Sequence, residues 1–459
     1  VSEIQELIEL AQRTSTADGC LVLAAEHSET NLRFADNALT TNGQMRTRSL
    51  TVIATFDRSD GTHAGVVTRS VTTPEEVEDL VRAAELAARD AGPSDDAAPL
   101  VADYPHEDDY TGEAGSTDAR VFEAFAADLG REFDRWRASG QRLYGFAEHQ
   151  LTSHYLASST GLRRRYDQPD GRLEVNAKTG DGTGSAWFSQ HYPDFDAVDV
   201  GAVSAELERR LGWGRRTVDL PAGRYETLLP PTAVADLMID AFWAASARDA
   251  DEGRSVYSRA GSTRIGERLS DLPITMRSDP DHPGLECAPF QLVTRSGDAA
   301  SVFDNGAPNP AIDWLRDGTL TNLIRPRGYA ARTGAEPALA VDNLIIEGGG
   351  TRSIDDLVAD TERGLLLTCL WYLREVDPQT LLVTGLTRDG VYLVEHGTVT
   401  AAVNNFRFNE SPVDLWRRAG EIGRSEQTLS REWSDYFTRT SMPALRIPDF
   451  NMSTVSRAR

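Results

Sequence analysis

With 459 residues, 40% of them hydrophobic, the chain has material for more than one core, and two domains are the expectation. Its 47 basic and 71 acidic residues leave a net charge of -24, so the average surface repels a nucleic-acid backbone and a nucleic-acid partner is set aside. Lys178 is the only lysine, which nearly excludes lysine chemistry, and no apolar run of about 18 residues is present to span a membrane.

The N-terminal segment has acids and no long apolar run, while Ile4, Leu7, Ile8 and Ala11 fall on one helical stripe. An amphipathic helix is expected rather than a signal peptide. Cys20, Cys287 and Cys369 are odd in number and far apart, which argues against a disulfide framework or a local zinc knuckle and for a reduced, cytoplasmic setting. Cys20 to Ala24 reads as a short buried strand. Asn31 to Leu39 alternates and turns, Leu50 to Phe56 alternates again, and Asp60-Gly61 turns the chain into Ala64 to Thr68. Thr73, Pro74, Glu75 and Glu76 open a helix with Val77, Leu80, Val81 and Ala84 on its apolar face.

Residues 91 to 115, rich in Pro, Asp, Gly and Ala, read as a linker or surface excursion, after which Val121 to Trp136 returns to helical spacing. Leu143 to Trp187 reads as an antiparallel set with a tight turn at Ser159-Thr160-Gly161. His149 and His154 lie an odd number of residues apart, which sends them to opposite faces of a strand and argues against a shared metal. The run Arg163-Arg164-Arg165 reads as a solvated strand end.

After an apolar run ending at Leu229, Pro230 and Pro231 sit where a helix can begin. From Ala233 to Ala247 the spacing is helical: Ala233, Leu237, Phe242 and Ala245 share a stripe, Met238 and Trp243 widen it, and the helix is expected to be buried on most sides. Asp236, Asp240, Asp249 and Asp251 read as its solvated face. No histidine lies between His191 and His282. Further on, Asp317-Gly318 signals a hairpin, Gly348-Gly349-Gly350 lacks the spacing of a phosphate loop and reads as a turn, Cys369 reads as a packing thiol, and His396 as a turn residue.

Several of these stretches resemble, in order and spacing, the TldD/TldE (PmbA) family of intracellular peptidases. Asn31 to Thr40, the Ser158-Ser159 hairpin, Asp219 to Pro230, Ser262 to Glu267, Phe303 to Gly306 with Asn305 for the usual glutamate, Trp314 to Leu320, Ala340 to Gly350, Gly364 to Cys369, Asp389 to Gly397 and Val413 to Arg417 carry the likeness. The resemblance implies an α+β fold of mostly antiparallel sheets, with an N-terminal helix-and-sheet domain over residues 1–217 and a β-rich domain over residues 218–459. In the metal-bearing TldD-type subunit the helix after the prolines carries H-E-x-x-x-H, and a cysteine near the C-terminus completes a zinc site. Here the ligand positions fall near Met238 and Trp243, neither a zinc ligand, and Cys369 is the last cysteine.

The chain is thus expected to be the metal-free TldE-type subunit. The resemblance implies no catalytic residue and no cofactor in this chain, zinc in a TldD-type partner of a heterodimer, and unfolded or modified peptides as substrate. Met238 and Trp243, the degenerate metal-helix positions, are expected to fill core. An inactive peptide-binding or scaffolding homodimer is the alternative. A self-sufficient hydrolase finds no G-x-S-x-G elbow and few histidines, and a metal enzyme built on the four aspartates lacks imidazole.

Overall fold

The computed structural model describes residues 4–106, 109–388 and 390–456. Val1 to Glu3 of the expected first helix, Glu107 and Asp108 of the expected excursion, and Asp389 of the stretch before His396 lie outside them. The first sheet has six strands in the order β3-β2-β1-β4-β5-β6. Its elements are α1 (Ile4–Thr14), β1 (Gly19–Ala35), β2 (Ala38–Arg58), β3 (Gly61–Arg69), α2 (Pro74–Asp90), α3 (Glu123–Ala138), β4 (Arg142–Ser158), β5 (Arg163–Lys178) and β6 (Ser185–His191), followed by α4 (Val200–Trp213). Neighbouring strands are antiparallel throughout.

Alternation along these strands decides what covers each face. Even positions of β1 (Cys20, Val22, Ala24, Leu32, Phe34) with odd positions of β4 and β5 pack under all four helices. The opposite face, carrying Leu21, Leu23, Ile53 and Leu156, receives Phe290, Val293, Val302 and Phe303 from the second half of the chain. The α2 helix has the expected threonine cap, which closes into a capping box: the Thr73 side chain accepts from the Glu76 N–H and the Glu76 carboxylate accepts from the Thr73 N–H.

Four expectations change here. Cys20 to Ala24 and Asn31 to Ala35 are not separate pieces but one strand, and the chain turns into β2 at Asp36 and Asn37, which both have positive φ (54° and 59°), so that Leu39 already belongs to β2. The far end of β2 is exposed over residues 38–47, so no hydrophobic pattern marks its extent. The helix α4 was not expected; Asp199 caps it and Val200, Val203, Leu207 and Leu211 are its buried side. Finally, the arginine run is no solvated strand end. Arg164 is 1% exposed, its guanidinium lying 3.9 Å from the centre of the Tyr104 ring and donating to the Tyr104 carbonyl, while Arg163 pairs with Glu9 and Arg165 with Asp167. The irregular excursion that supplies Tyr104 lays Leu100 and Val101 on the same sheet, so a planar cation is buried by stacking rather than left in water.

From β7 (Thr217–Val218) onward the chain builds a second sheet of fourteen strands. Its centre is β8 (Gly223–Leu229), hydrogen-bonded antiparallel to the last strand, Thr440–Val455, and parallel to Arg363–Leu367. The helix α5 (Pro231–Trp243) follows at once and sinks into the largest core of the molecule. The triple glycine is a turn: Gly349 has φ 70°, and a Cβ on Gly350 would lie 2.1 Å from the Ile422 carbonyl oxygen. His396 also turns the chain, with φ 49°. Asn305 is fully buried and pins its loop, accepting from the Val293 N–H and donating to the Val293 and Val302 carbonyls.

Candidate functional site

Pro231 is the first residue of α5, where a missing N–H costs nothing, and the helix runs thirteen residues before Ala244 closes it on the Asp240 and Phe242 carbonyls. Nine of its residues are buried. Asp236 and Asp240, four apart, stand one above the other on a helix, and Trp243 continues their stripe one turn further.

That stripe is met by residues 430–439, a strap between the strands Glu421–Thr428 and Thr440–Val455. Asp236 Oδ1 accepts from the backbone N–H groups of Arg431 (2.7 Å) and Glu432 (2.8 Å), and the Trp433 indole donates to the Asp236 carbonyl (2.9 Å). Trp433 packs edge-on against Trp243 at 5.0 Å between ring centres, with Phe437 behind both Trp243 and Phe242. Glu432 in turn accepts from the Tyr372 and Leu373 N–H groups and from Arg374 at 3.2 Å.

The other side of the strap lies on β5. Asp170, Arg172 and Glu174 alternate along that strand and so share one face. Arg439 and Thr438 bind Asp170 at 2.7 and 2.8 Å, Asp435 pairs with Arg172, and Arg431 and Ser434 bind Glu174 at 3.0 and 3.3 Å. The Arg431 guanidinium is held between Trp187 and Trp371, 5.1 and 4.3 Å from their ring centres. His191 Nε2 lies 3.0 Å from Asp170 Oδ1 beneath, and a cavity of about 160 Å³ remains among Glu148, Asp170, Arg172, Asp435 and Arg439.

The two sides differ in electrostatics. Burial works against ionising Asp170, but the bond to His191 and the charge of Arg439 outweigh it and hold the carboxyl down at about 2. On the α5 side nothing comparable opposes burial. It raises Asp236 well above the carboxylate range despite two backbone N–H bonds, and raises Asp240 to about 7 with the help of Glu375 and Glu432. Asp236 and Asp240 are therefore not a solvated face, as the sequence pattern suggested. Asp236 is fully buried because the strap, brought from 195 residues away, closes over it. Asp249 and Asp251, on the next short helix, do meet surface partners, Arg254 and Tyr329.

Met238 is fully buried in the core of the second sheet. Trp243 is not: it is 40% exposed at the end of α5, so core filling describes Met238 and only half describes Trp243. Five residues of regular helix advance about 500°, which leaves the two positions roughly 140° apart and unable to converge. What converges on the strap is Asp236, Asp240 and Trp243. His149 bonds Thr117 and the Pro193 carbonyl on the helix-covered face of β4, and His154 lies on the other face, held down at about 4 by burial and Arg439. All three cysteines are buried and none is in a disulfide; burial pushes Cys20 up to about 11 and Cys287 up to about 12, which keeps those two as thiols. Among the described residues no group of three or more His, Cys, Asp or Glu side chains is placed to hold a metal ion. The donors around α5 do not fit zinc, since the one fully buried carboxylate is turned to amide N–H groups.

Two packed units, one covered by helices and one pierced by α5, bridged by a strap, define an α+β architecture of mostly antiparallel sheets. Family models describe its parts: the PmbA/TldA metallopeptidase central domain matches residues 68–215, and the PmbA/TldA metallopeptidase C-terminal domain matches residues 222–454. The chain belongs to the PmbA/TldD metallopeptidase family. Its fold is similar to that of TldE from Thermococcus kodakarensis, with a TM-score of 0.79 and 15% identity over 98% of this chain and 99% of that one. It is also similar to two proteins described as putative modulators of DNA gyrase. One is from Bacteroides thetaiotaomicron (TM-score 0.75, 14% identity, 98% of each chain). The other is from Thermotoga maritima (TM-score 0.75, 16% identity, 97% of this chain and 98% of that one). No curated protein matches the chain by sequence. Among the described residues no helix is long and apolar enough to cross a membrane.

The strap itself had no local signature. Arg431, Glu432 and Trp433 carry no pattern that points to a helix about two hundred positions earlier, and only a long-range pairing reveals them. Asp236 had a signal that was open to reading: a charged residue amid Ala235 and Leu237 on an otherwise apolar helix is either solvated or pinned, and the latter needs a partner.

Proposed function

We propose that the chain is the metal-free, TldE-type subunit of a cytoplasmic TldD/TldE-type metallopeptidase, built of two domains over residues 1–217 and 218–459, with catalytic zinc in a TldD-type partner and unfolded or modified peptides as substrate. The observation that carries this reading is the donor set around α5. Where a zinc helix needs two imidazoles and a nearby thiolate, this helix offers Met238 in the core, Trp243 against Trp433, and Asp236 spent on the strap's backbone. The strap supplies Arg431 and Glu432 to that helix, and no cysteine follows Cys369. Such a chain contributes wall and shape to an active site whose reacting centre belongs to its partner.

The test is proteolysis of an unfolded peptide by this chain, by a TldD-type partner, and by their mixture, with elemental analysis of each. Cleavage is expected only when the partner is present and greatest in the mixture. Comparable cleavage by this chain alone, or about one zinc per chain that survives dialysis, would overturn the reading.

A further inference from the structure

On the α5 side of the strap, the Asp240 carboxyl lacks a counter-ion. Asp240 is opposed by Glu375 and Glu432, and the Oδ2 atoms of Asp236 and Asp240 are buried with no hydrogen-bond partner. Of the two guanidiniums close by, Arg374 binds Glu432, and Arg431 is turned away to Glu174 between two indoles. Beside this uncompensated charge stands an aromatic surface that water reaches, Trp243, which is 40% exposed against Trp433, whereas the nearby Tyr372 ring is already covered by the Arg374 guanidinium at 4.5 Å. A carboxylate without a cation, next to an exposed indole, is the pairing that recognises an ammonium or guanidinium group, since the ring face and the carboxylate both attract it and the indole covers its apolar stem. A metal ion needs more donors than converge here.

We propose that the exposed end of α5, around Asp240 and Trp243, is a binding site for one cationic group, an ammonium or guanidinium, carried by the peptide that the enzyme handles. This rests on the reading of the chain as a peptidase subunit. The cation supplies the positive charge that Asp240 lacks, and Trp243 and Trp433 give it an aromatic wall. Asp240 is the specificity-determining group, and Asp236 holds the strap in place behind it.

Binding of short peptides to the isolated chain tests this, read by calorimetry. One peptide has a blocked N-terminus and a central lysine, a second replaces the lysine by norleucine, and a third has a free N-terminal amine with neutral side chains. The lysine peptide is expected to bind about tenfold more tightly than the norleucine peptide, a preference that Asp240→Asn reduces to less than about twofold without lowering the melting temperature. Trp243→Ala weakens both peptides and narrows the gap. Tight binding of the third peptide assigns the site to the N-terminal amine; tight binding of the first alone assigns it to side chains. Equal binding of all three, or a lysine preference that survives Asp240→Asn, overturns the proposal. Partner-dependent cleavage without any cation preference sinks this site and leaves the subunit reading standing, whereas a cation preference without partner-dependent cleavage does the reverse.

Discussion

The strap at residues 430–439 touches two surfaces, and they are built on opposite principles. Toward β5 every charge is answered: Asp170 by Arg439 and His191, Arg172 by Asp435 and Glu148, Glu174 by Arg431. Toward α5 the Asp236 carboxyl is held by two backbone N–H groups, with the Arg431 charge too weak to offset its burial, and the Asp240 carboxyl faces only the further acids Glu375 and Glu432. Balanced charges at a buried seam fix geometry, since removing either partner strands the other. An unbalanced group is retained at a cost, and sites of function are where proteins tolerate such a cost.

The contrast can be broken first on its ionic side. Arg439 is 7% exposed and serves Asp170, Asp342 and the Asp342 carbonyl, so Arg439→Ala should destabilise by about 3–5 kcal/mol, measured as a fall in the urea midpoint. A loss under about 1 kcal/mol would show that the seam is solvated. On the α5 side, Asp236→Ala strands two buried N–H donors and should cost about 2–4 kcal/mol, with Asp236→Asn, which keeps an acceptor, costing clearly less. If alanine and asparagine are equally harmful, the charge and not the hydrogen bond matters there.

Trp243→Ala should cost only about 1–2 kcal/mol, below the usual range for a buried aromatic, because two-fifths of the ring already faces water. A larger loss would restore the core-filling role that the helix pattern suggested. The smallest effect sharpens the comparison by its sign. Asp240 binds its proton more tightly folded than unfolded, so the folded chain loses stability as pH rises from about 4 to about 7 and is flat for this group above that. Asp240→Asn should therefore be near neutral at about pH 5 and more stable than the parent by about 1 kcal/mol at about pH 8, after allowance for solvent screening. Asp170 has the opposite sign: its stabilisation is complete above the ordinary carboxylate range and is lost as pH falls toward about 2. Parallel pH profiles for the parent and Asp240→Asn would remove the asymmetry between the two sides.

What the residues alone determined was local and periodic. The α2 cap, the Asp60-Gly61 and Ser159-Thr160-Gly161 turns, the proline start of α5 and the opposite facing of His149 and His154 each rest on a few adjacent residues whose backbone preferences or alternation have one solution. The absence of imidazole from the helix that begins at Pro231 is equally a matter of reading, and so is the family's order of motifs. Tertiary structure decided where charge goes. Whether Arg164 lies in water or under Tyr104, whether Asp236 is solvated or pinned, and whether Trp243 fills core or lines a surface depend on segments 60, 195 and 190 positions away, the last being the separation of two indoles packed edge-on, Trp243 and Trp433. Periodicity reports that one side of a helix must be covered, because water penalises apolar area wherever it is; it does not report what covers a polar group, because that depends on a single directional partner that the chain brings from afar.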